Sequence, residues 1–455
     1  METTSAALPA LPDDVLATVL GRLPTCTLAA SRCVCQAWRG LVDERQLLLP
    51  RLLPHSVRGI FANYIDHQRP HFFARPASWT TVGPQIDGEF SYVVAAENNH
   101  QGRKQFKVED HCNGLVLYRD DGRGDLYVCN PVARQWVHLP FPPKEMGRRK
   151  SRAFLVFNPA TSLNYIVLMP SHDLGKEIWL TNEHGDTEWP PSRWTWCVFS
   201  SKTKRWKERV FVREGKAAGT IADMLRVMET VSYVTVSPWR YAAYWQGALY
   251  IHCHGEYVSR LSLTDLKYRI IESPIDRMEW YNKVRSFLGR SKEGIYFAAI
   301  HKCHLRVWIL NEWHGRTQWV LKHDRVLKPR DWWSVAISYQ QINGEGPWIW
   351  DDFYGNGKEK NGIDWSSDDD DNSIPTCDWE NTKHGGGEYP GYLVVLGFNP
   401  YKEVIFLASH SVVVAYHLNN SKVQFLGILK PSTHEFGVYD SFVYTPCQSL
   451  RRHGL

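Results

Sequence analysis

The chain has 455 residues, 43% of them hydrophobic and 22% charged, with a formal net charge of +5, the composition of an ordinary globular protein rather than a disordered or fibrous one. Mean hydropathy is −0.38 and no apolar run approaches the roughly 20 residues that cross a bilayer, so a membrane protein is excluded. Ten cysteines are far too few for a secreted disulfide scaffold, and the start METTSAALPALPDD lacks the basic and apolar regions of a signal peptide. Reduced thiols in the cytoplasm or nucleus are the expectation. Length suggests about three domains, a prior that repeat arrays break. Of 20 tryptophans, only Trp38 and Trp79 precede residue 100, so whatever needs tryptophan begins there.

After a flexible N-terminus (1–8), residues 9–50 read as a helical module. Pro12, Asp13 and Asp14 suit a helix start. Val15, Leu16, Val19, Leu20 and Leu23 follow as one apolar face, until Leu23-Pro24 stops the helix. Thr25 or Thr27 caps a short second helix carrying Leu28. A third puts Val34, Trp38, Leu41 and Val42 on one stripe. Three short helices have too little volume to bury all these side chains, and an exposed helical apolar surface marks a partner site. The competing reading is a small cap packed on its own following domain.

Residues 51–100 read as a linker with opening strands, and 101–445 as a repeat of strands and turns. Hydrophobic runs break at Asn130-Pro131, Asn158-Pro159, Ser200-Ser201, Thr264-Asp265, Asn311, Asn399-Pro400 and Asn419-Asn420, each followed by an aromatic or aliphatic residue. These are hairpin signals. Their irregular spacing, around 40–50, is near the per-blade period of propeller repeats, and the close pair at Asn399 and Asn419 reads as two hairpins of one blade. Tryptophans would fill the wedges between blades. Residues 57–64 and the terminal GVYDSFVYTP both read as strands able to close a ring. The expected fold class is therefore α+β multidomain, a short three-helix module followed by a mostly-β repeat domain of β-propeller type. A 446–455 tail ends the chain.

Between Asp351 and Glu388, 11 acids face 3 lysines, which reads as a mobile acidic insertion, with Ser366 and Ser367 as a phosphorylation-tuned alternative. Lys144, Arg148, Arg149, Lys150 and Arg152 form a basic cluster read as a solvated loop. The triplets His252-Cys253-His254 and His301, Cys303, His304 are the best metal candidates, but alternation along a strand lets at most two of either converge, so no metal and no cofactor is expected. No nucleophile-elbow, P-loop or zincin string is present. The chain is expected not to be an enzyme.

The string LPDDVLATVLGRLPTCTLAASRCVCQAWRGLV, residues 11–42, resembles an F-box. Its expected pattern is met by Leu11-Pro12, Asp14, Val15-Leu16, Val19-Leu20, Leu23-Pro24, Leu28, Arg32, Val34-Cys35 and Trp38-Arg39, with Gln36 where a basic residue is usual. The stretch 111–140, through Asn113-Gly114-Leu115 and Asn130-Pro131, resembles the opening of the plant F-box-associated, kelch-like repeat domains. So do Trp308 to His323 and Val412 to Gly427 for their later half. No complete kelch glycine pair is present. The resemblance implies an interface of Leu11, Pro12, Leu16, Leu20, Pro24, Leu28, Val34 and Trp38 docked on a Skp-family adaptor and, through it, a cullin scaffold. It implies the substrate-recognition subunit of an SCF-type ubiquitin ligase, binding an unidentified protein target with its propeller. No nucleic acid and no membrane is expected among its partners. The alternatives are a Skp-binding adaptor or scaffold without a degradation role, and a propeller enzyme or ligand sensor.

Overall fold

The computed structural model describes residues 11–23, 25–45, 47–48, 56–65, 67–74, 86–88, 90–96, 105–143, 151–171, 185–223, 239–253, 257–275, 284–313, 316–329, 332, 336, 348–350, 393–409, 411–429 and 437–447. The acidic stretch 351–388, the ends 1–8 and 448–455, Lys144 to Lys150, Pro24, Trp79 and His254 lie outside them.

Three helices open the described chain: α1 (Asp13–Leu20), α2 (Thr25–Ser31) and α3 (Gln36–Glu44). Two acids in the first turn of α1 complement its dipole, and the Leu16 amide donates to the Pro12 carbonyl at 3.0 Å. The third helix starts two residues after Val34, with Cys35 at its N-cap accepting from the Trp38 amide at 3.4 Å. Val34 therefore stands outside the helical stripe expected of it.

A mostly-β domain follows. Its first strands are β1 (Gly59–Tyr64) and β2 (His71–Ala74), and a short helix α4 (Ser91–Ala96) comes before the next four: β3 (Phe106–Cys112), β4 (Leu115–Asp120), β5 (Leu126–Asn130) and β6 (Gln135–His138). Then come β7 (Phe154–Phe157), β8 (Tyr165–Pro170), β9 (Glu188–Trp189), β10 (Arg193–Ser200), β11 (Arg205–Glu214) and β12 (Gly219–Thr220). The next set is β13 (Trp239–Trp245), β14 (Ala248–Cys253), β15 (Tyr257–Ser262) and β16 (Lys267–Glu272), followed by β17 (Arg285–Ser291), β18 (Gly294–His301), β19 (His304–Trp313) and β20 (Arg316–Val326). Last are β21 (Ile349–Trp350), β22 (Leu393–Phe398), β23 (Val404–Ser409), β24 (Val412–His417), β25 (Val423–Ile428) and β26 (Val438–Tyr444).

Among the described residues twenty-four of these strands form six antiparallel four-stranded units, and β9 and β12 pair as a two-stranded ribbon of their own. Four are separate sheets: β3-β4-β5-β6, β17-β18-β19-β20, β22-β23-β24-β25 and β26-β1-β2-β21. The other two, β7-β8-β10-β11 and β13-β14-β15-β16, merge into one eight-stranded sheet because the end of β11 runs parallel to the start of β16, Val212 opposite Lys267. Six apolar clusters fill the spaces between successive units, the last joining the strands at the chain ends to β3–β6. A closed cycle of sheets, each packed face to face on the next, is the geometry of a β-propeller. The ring closes where β1 pairs with β26 along the register Gly59↔Tyr444 to Ala62↔Ser441, so the expected pairing of the chain's two strand-forming ends is present. Tryptophan supplies bulk in the wedges: Trp189, Trp194 and Trp196 lie together in one inter-blade cluster.

Six of the seven expected turns join consecutive strands of one blade, and Asn399 and Asn419 do belong to a single sheet. Asn311 does not turn. It sits inside β19 opposite Gln318, and the chain reverses instead between Trp313 and Arg316. A polar residue on the solvent side of a projecting hairpin imitates a turn signal.

Asn113-Gly114 makes the tight β3–β4 turn with φ of 44° and 95°, the left-handed pair that two-residue hairpins favour. A Cβ on Gly114 would lie 2.2 Å from the Cys447 backbone nitrogen. Gly114→Ala is therefore expected to lower stability by about 2–3 kcal/mol through backbone strain and overpacking. A denaturation midpoint within error of wild type would contradict this account of the turn.

Candidate functional site

Helix α1 turns about 100° per residue, so Val15 and Leu16 cannot share one direction. Leu20 goes inward with Leu28, Leu41 and Val42, joined by half-buried Leu16, Leu23 and Trp38, to make the module's own core. Salt links hold the three helices around it: Arg45 to Asp14 at 2.7 Å, and Arg32 to Asp43 at 2.8 Å. The i, i+4 ridge Leu11, Val15 and Val19 faces solvent, 56%, 46% and 51% exposed, and Val34 is 64% exposed.

The eight residues expected at an adaptor interface thus divide. Leu11, Pro12 and Val34 lie on the surface, Leu16 and Trp38 half-buried, and Leu20 and Leu28 buried inside the module at 1% and 0% exposure. Pro24 lies outside the described residues. Sequence spacing groups Val15 and Val19 with Leu16 and Leu20 on one face; the 100° step separates the two rows without saying which of them turns inward.

In the five blades built from successive strands, the turns between first and second strands, and between third and fourth, fall on one rim by antiparallel alternation. These are tight, as at 113–114, 201–204, 246–247, 263–266 and 292–293. The connections 139–153, 215–238 and 327–392 begin and end at the opposite rim, whereas 75–105 leaves from the tight-turn rim, where β2 ends beside the start of β1, and re-enters at the opposite one. The helical module enters through the start of β1, on the tight-turn rim.

Where the blade built from the chain ends meets its two successors in the ring, an ionic network is buried. Arg119 on β4 donates from Nε and Nη2 to the Glu109 carboxylate on β3, at 3.0 and 3.1 Å, and from Nη2 to the Ser151 carbonyl at 2.6 Å. Both side chains are 2% exposed. The Ala153 amide also donates to Glu109, and Arg152 pairs with Asp440 on β26 at 3.0 Å. Burial would raise the Glu109 carboxyl, but Arg119, Lys107, Arg152 and the Ala153 amide outweigh it and hold the group down at about 2. Next to it, burial pushes the Asp110 carboxyl up to about 7 despite its two backbone hydrogen bonds. With so many partners already engaged, the network is an electrostatic clasp between blades rather than an acid–base site. Arg152, read from sequence as part of a solvated basic loop, is a half-buried member of it, its side chain 10% exposed.

The described metal candidates have other surroundings, and His254 lies outside the described residues. His252 is buried between the Tyr241 and Phe297 rings, Cys253 contacts Ser259, and His304 bonds Asp324 across the β19–β20 hairpin. Among the described residues no group of three His, Cys, Asp or Glu side chains is placed to hold a metal ion. No described helix is long and apolar enough to cross a membrane.

A family model described as F-box protein At3g26010-like, beta-propeller, matches residues 89–331, more than half of the chain. The chain belongs to this family. An F-box domain model matches residues 8–49, the helical module, so an F-box is followed here by the propeller. Among curated relatives, the Arabidopsis thaliana F-box/kelch-repeat protein At3g61590 is 29% identical over 134 residues, 29% of this chain and 30% of that one. The F-box protein At2g23160 of the same plant is 27% identical over 191 residues, 39% of this chain and 60% of that one. The chain thus spans less than two thirds of the length of either relative. Among solved structures, YCF48 from Cyanidioschyzon merolae aligns over 82% of this chain and 86% of that chain at TM-score 0.34 and 10% identity, too distant to inform fold or function.

Proposed function

We propose that the chain is the substrate-recognition subunit of an SCF-type ubiquitin ligase, with its F-box docked on a Skp-family adaptor and a C-terminal, kelch-like propeller holding the target protein. The observation that carries this reading is the exposed apolar ridge Leu11, Val15, Val19 with Val34, on the segment matched as an F-box. In this reading Leu11, Pro12, Val15, Val19 and Val34 touch the adaptor, while Leu16 and Trp38 add their exposed edges. Leu20 and Leu28 act from beneath by fixing the helices. Each valine- or leucine-sized side chain buried there contributes ~1.5–3 kcal/mol, enough in sum to exceed association costs.

The chain itself performs no bond chemistry in this account. It raises the local concentration of a bound target near a ubiquitin-loaded enzyme that the adaptor and a cullin bring in. The described cysteines are all free thiols, which supports a cytoplasmic or nuclear place of action. Purified chain mixed with a Skp-family adaptor is expected to elute as one stable complex. Separate elution at micromolar concentration would sink the docking model.

A further inference from the structure

A groove of about 440 Å3 lies on the outer flank of the ring, between the blades β13–β16 and β17–β20. It exists because one hairpin overshoots. β18 accompanies β19 only as far as Ile309, whereas β19 and β20 continue paired to Trp313 and Arg316. The overhang leans on the preceding blade. The Tyr250 hydroxyl donates to Glu312 at 2.6 Å, Arg260 donates to the same carboxylate at 3.0 Å, and the Trp319 ring N–H donates to the Glu272 carbonyl at 2.8 Å. The end of β11 brings Glu214 to the other side.

The charges in this groove do not balance. Arg260, Lys267, Arg269 and Arg316 line it against Glu214, Asp265 and Glu312. Glu312 is taken by Arg260 and Tyr250, and Glu214 by Lys267 at 2.8 Å and Arg269 at 2.6 Å. Asp265 accepts the Lys267 amide within its own turn. Arg316 makes no ion pair among the described residues. Beside the groove Trp313, paired across the hairpin with Arg316, is 75% exposed, and Val320 adds an exposed apolar side chain farther along the same face of β20.

We propose that this groove docks an acidic segment of a partner protein, with an Asp or Glu side chain on Arg316 and an apolar neighbour against Trp313. A surplus cation in a concave polar site selects an anion. The adjoining tryptophan selects a protein rather than a small ion, because Arg and Trp together are typical anchors of protein interfaces. Glu214 and Glu312, already doubly engaged, hold the remaining cations in place and leave Arg316 as the reading group. The inference names the target class of the propeller and rests on the target-receptor reading above.

The test uses the full chain and an array of short synthetic peptides, each acidic peptide paired with its Asn/Gln copy. Acidic peptides with an apolar residue beside the acid are expected to be retained on the order of tenfold better than their copies, and the preference is expected to shrink as salt is raised. Arg316→Glu and Trp313→Ala should each remove it, while Arg316→Lys keeps part. Should Arg316→Glu lose its folded circular dichroism spectrum, Arg316→Gln replaces it. Equal retention of paired peptides, or a preference unchanged in the folded Arg316 variant, would overturn the proposal. Adaptor binding is measured on the same samples. Lost adaptor binding with intact peptide preference strikes only the ligase reading, and the converse strikes only the groove.

Discussion

A chain carrying both Val15→Asp and Val19→Asp is expected to bind a Skp-family adaptor at least about 100-fold more weakly than wild type. Two valines at ~1.5–3 kcal/mol each amount to ~3–6 kcal/mol of lost burial, before the cost of desolvating the new carboxylates. Both positions face solvent in the free chain, so the variant should keep its helical signal and thermal midpoint. Leu28→Ala is the contrasting change. Leu28 is fully buried, and its truncation should cost ~2–5 kcal/mol of the module's stability, weakening binding only by loosening the helices. Titration by calorimetry, with circular dichroism on the same samples, separates the two. An affinity for the double variant within a few fold of wild type would remove the ridge from the interface.

Glu109→Ala is expected to destabilise the propeller by ~3–5 kcal/mol, because it strands the Arg119 guanidinium in a 2%-exposed site. The Ala153 amide loses its acceptor at the same time. Removing both charges with Glu109→Leu and Arg119→Leu should recover most of that loss, since a buried pair replaced by apolar groups is often near neutral. The same geometry fixes a pH dependence. The Glu109 carboxyl is held at about 2 against a usual 4.5, so folding favours its ionised form. That contribution is complete above about pH 4.5 and is lost as pH falls towards 2. Asp110, raised to about 7 by burial, works in the opposite direction, and taking the difference between wild type and Glu109→Ala removes its contribution apart from the small part that the Glu109 charge adds. Urea midpoints taken from pH 6 down to pH 3 should converge as the pH drops. A constant gap would contradict the assignment.

The F-box was legible because its signal is local: helix spacing, two Leu-Pro pairs, one at a helix start and one at its stop, and a Trp at fixed distance. What local spacing did not resolve was which half of a wide apolar stripe turns inward, so Leu20 and Leu28 were expected at the surface and Val15 and Val19 were not singled out. Hairpin turns were legible at six places closed by Asn, Pro, Ser, Thr or Asp, and the reading failed at Asn311, where a polar side chain lies mid-strand on the overhang. Blade number was hidden because one blade is split between the chain ends and gains β21 from a third place. The Glu109–Arg119 pair was hidden for a different reason. Register shifts between Val108 and Asp110, so a bulge re-aims Glu109, and no period-two reading of β3 shows where that side chain points. Arg152 looked like part of a basic loop because its partner, Asp440, lies 288 residues away.

The central claim is that the F-box and the propeller act together, one holding the ligase and the other the protein to be degraded. Proximity labelling from the wild-type chain and from the Val15→Asp, Val19→Asp chain, each with and without proteasome inhibition, tests it most directly. At least one protein labelled by both chains is expected to be scarce with wild type alone. It should recover when the proteasome is inhibited, and stay abundant with the docking-deficient chain under either condition. If every labelled protein keeps the same level in all four samples, the chain is a binding partner and not a degradation receptor.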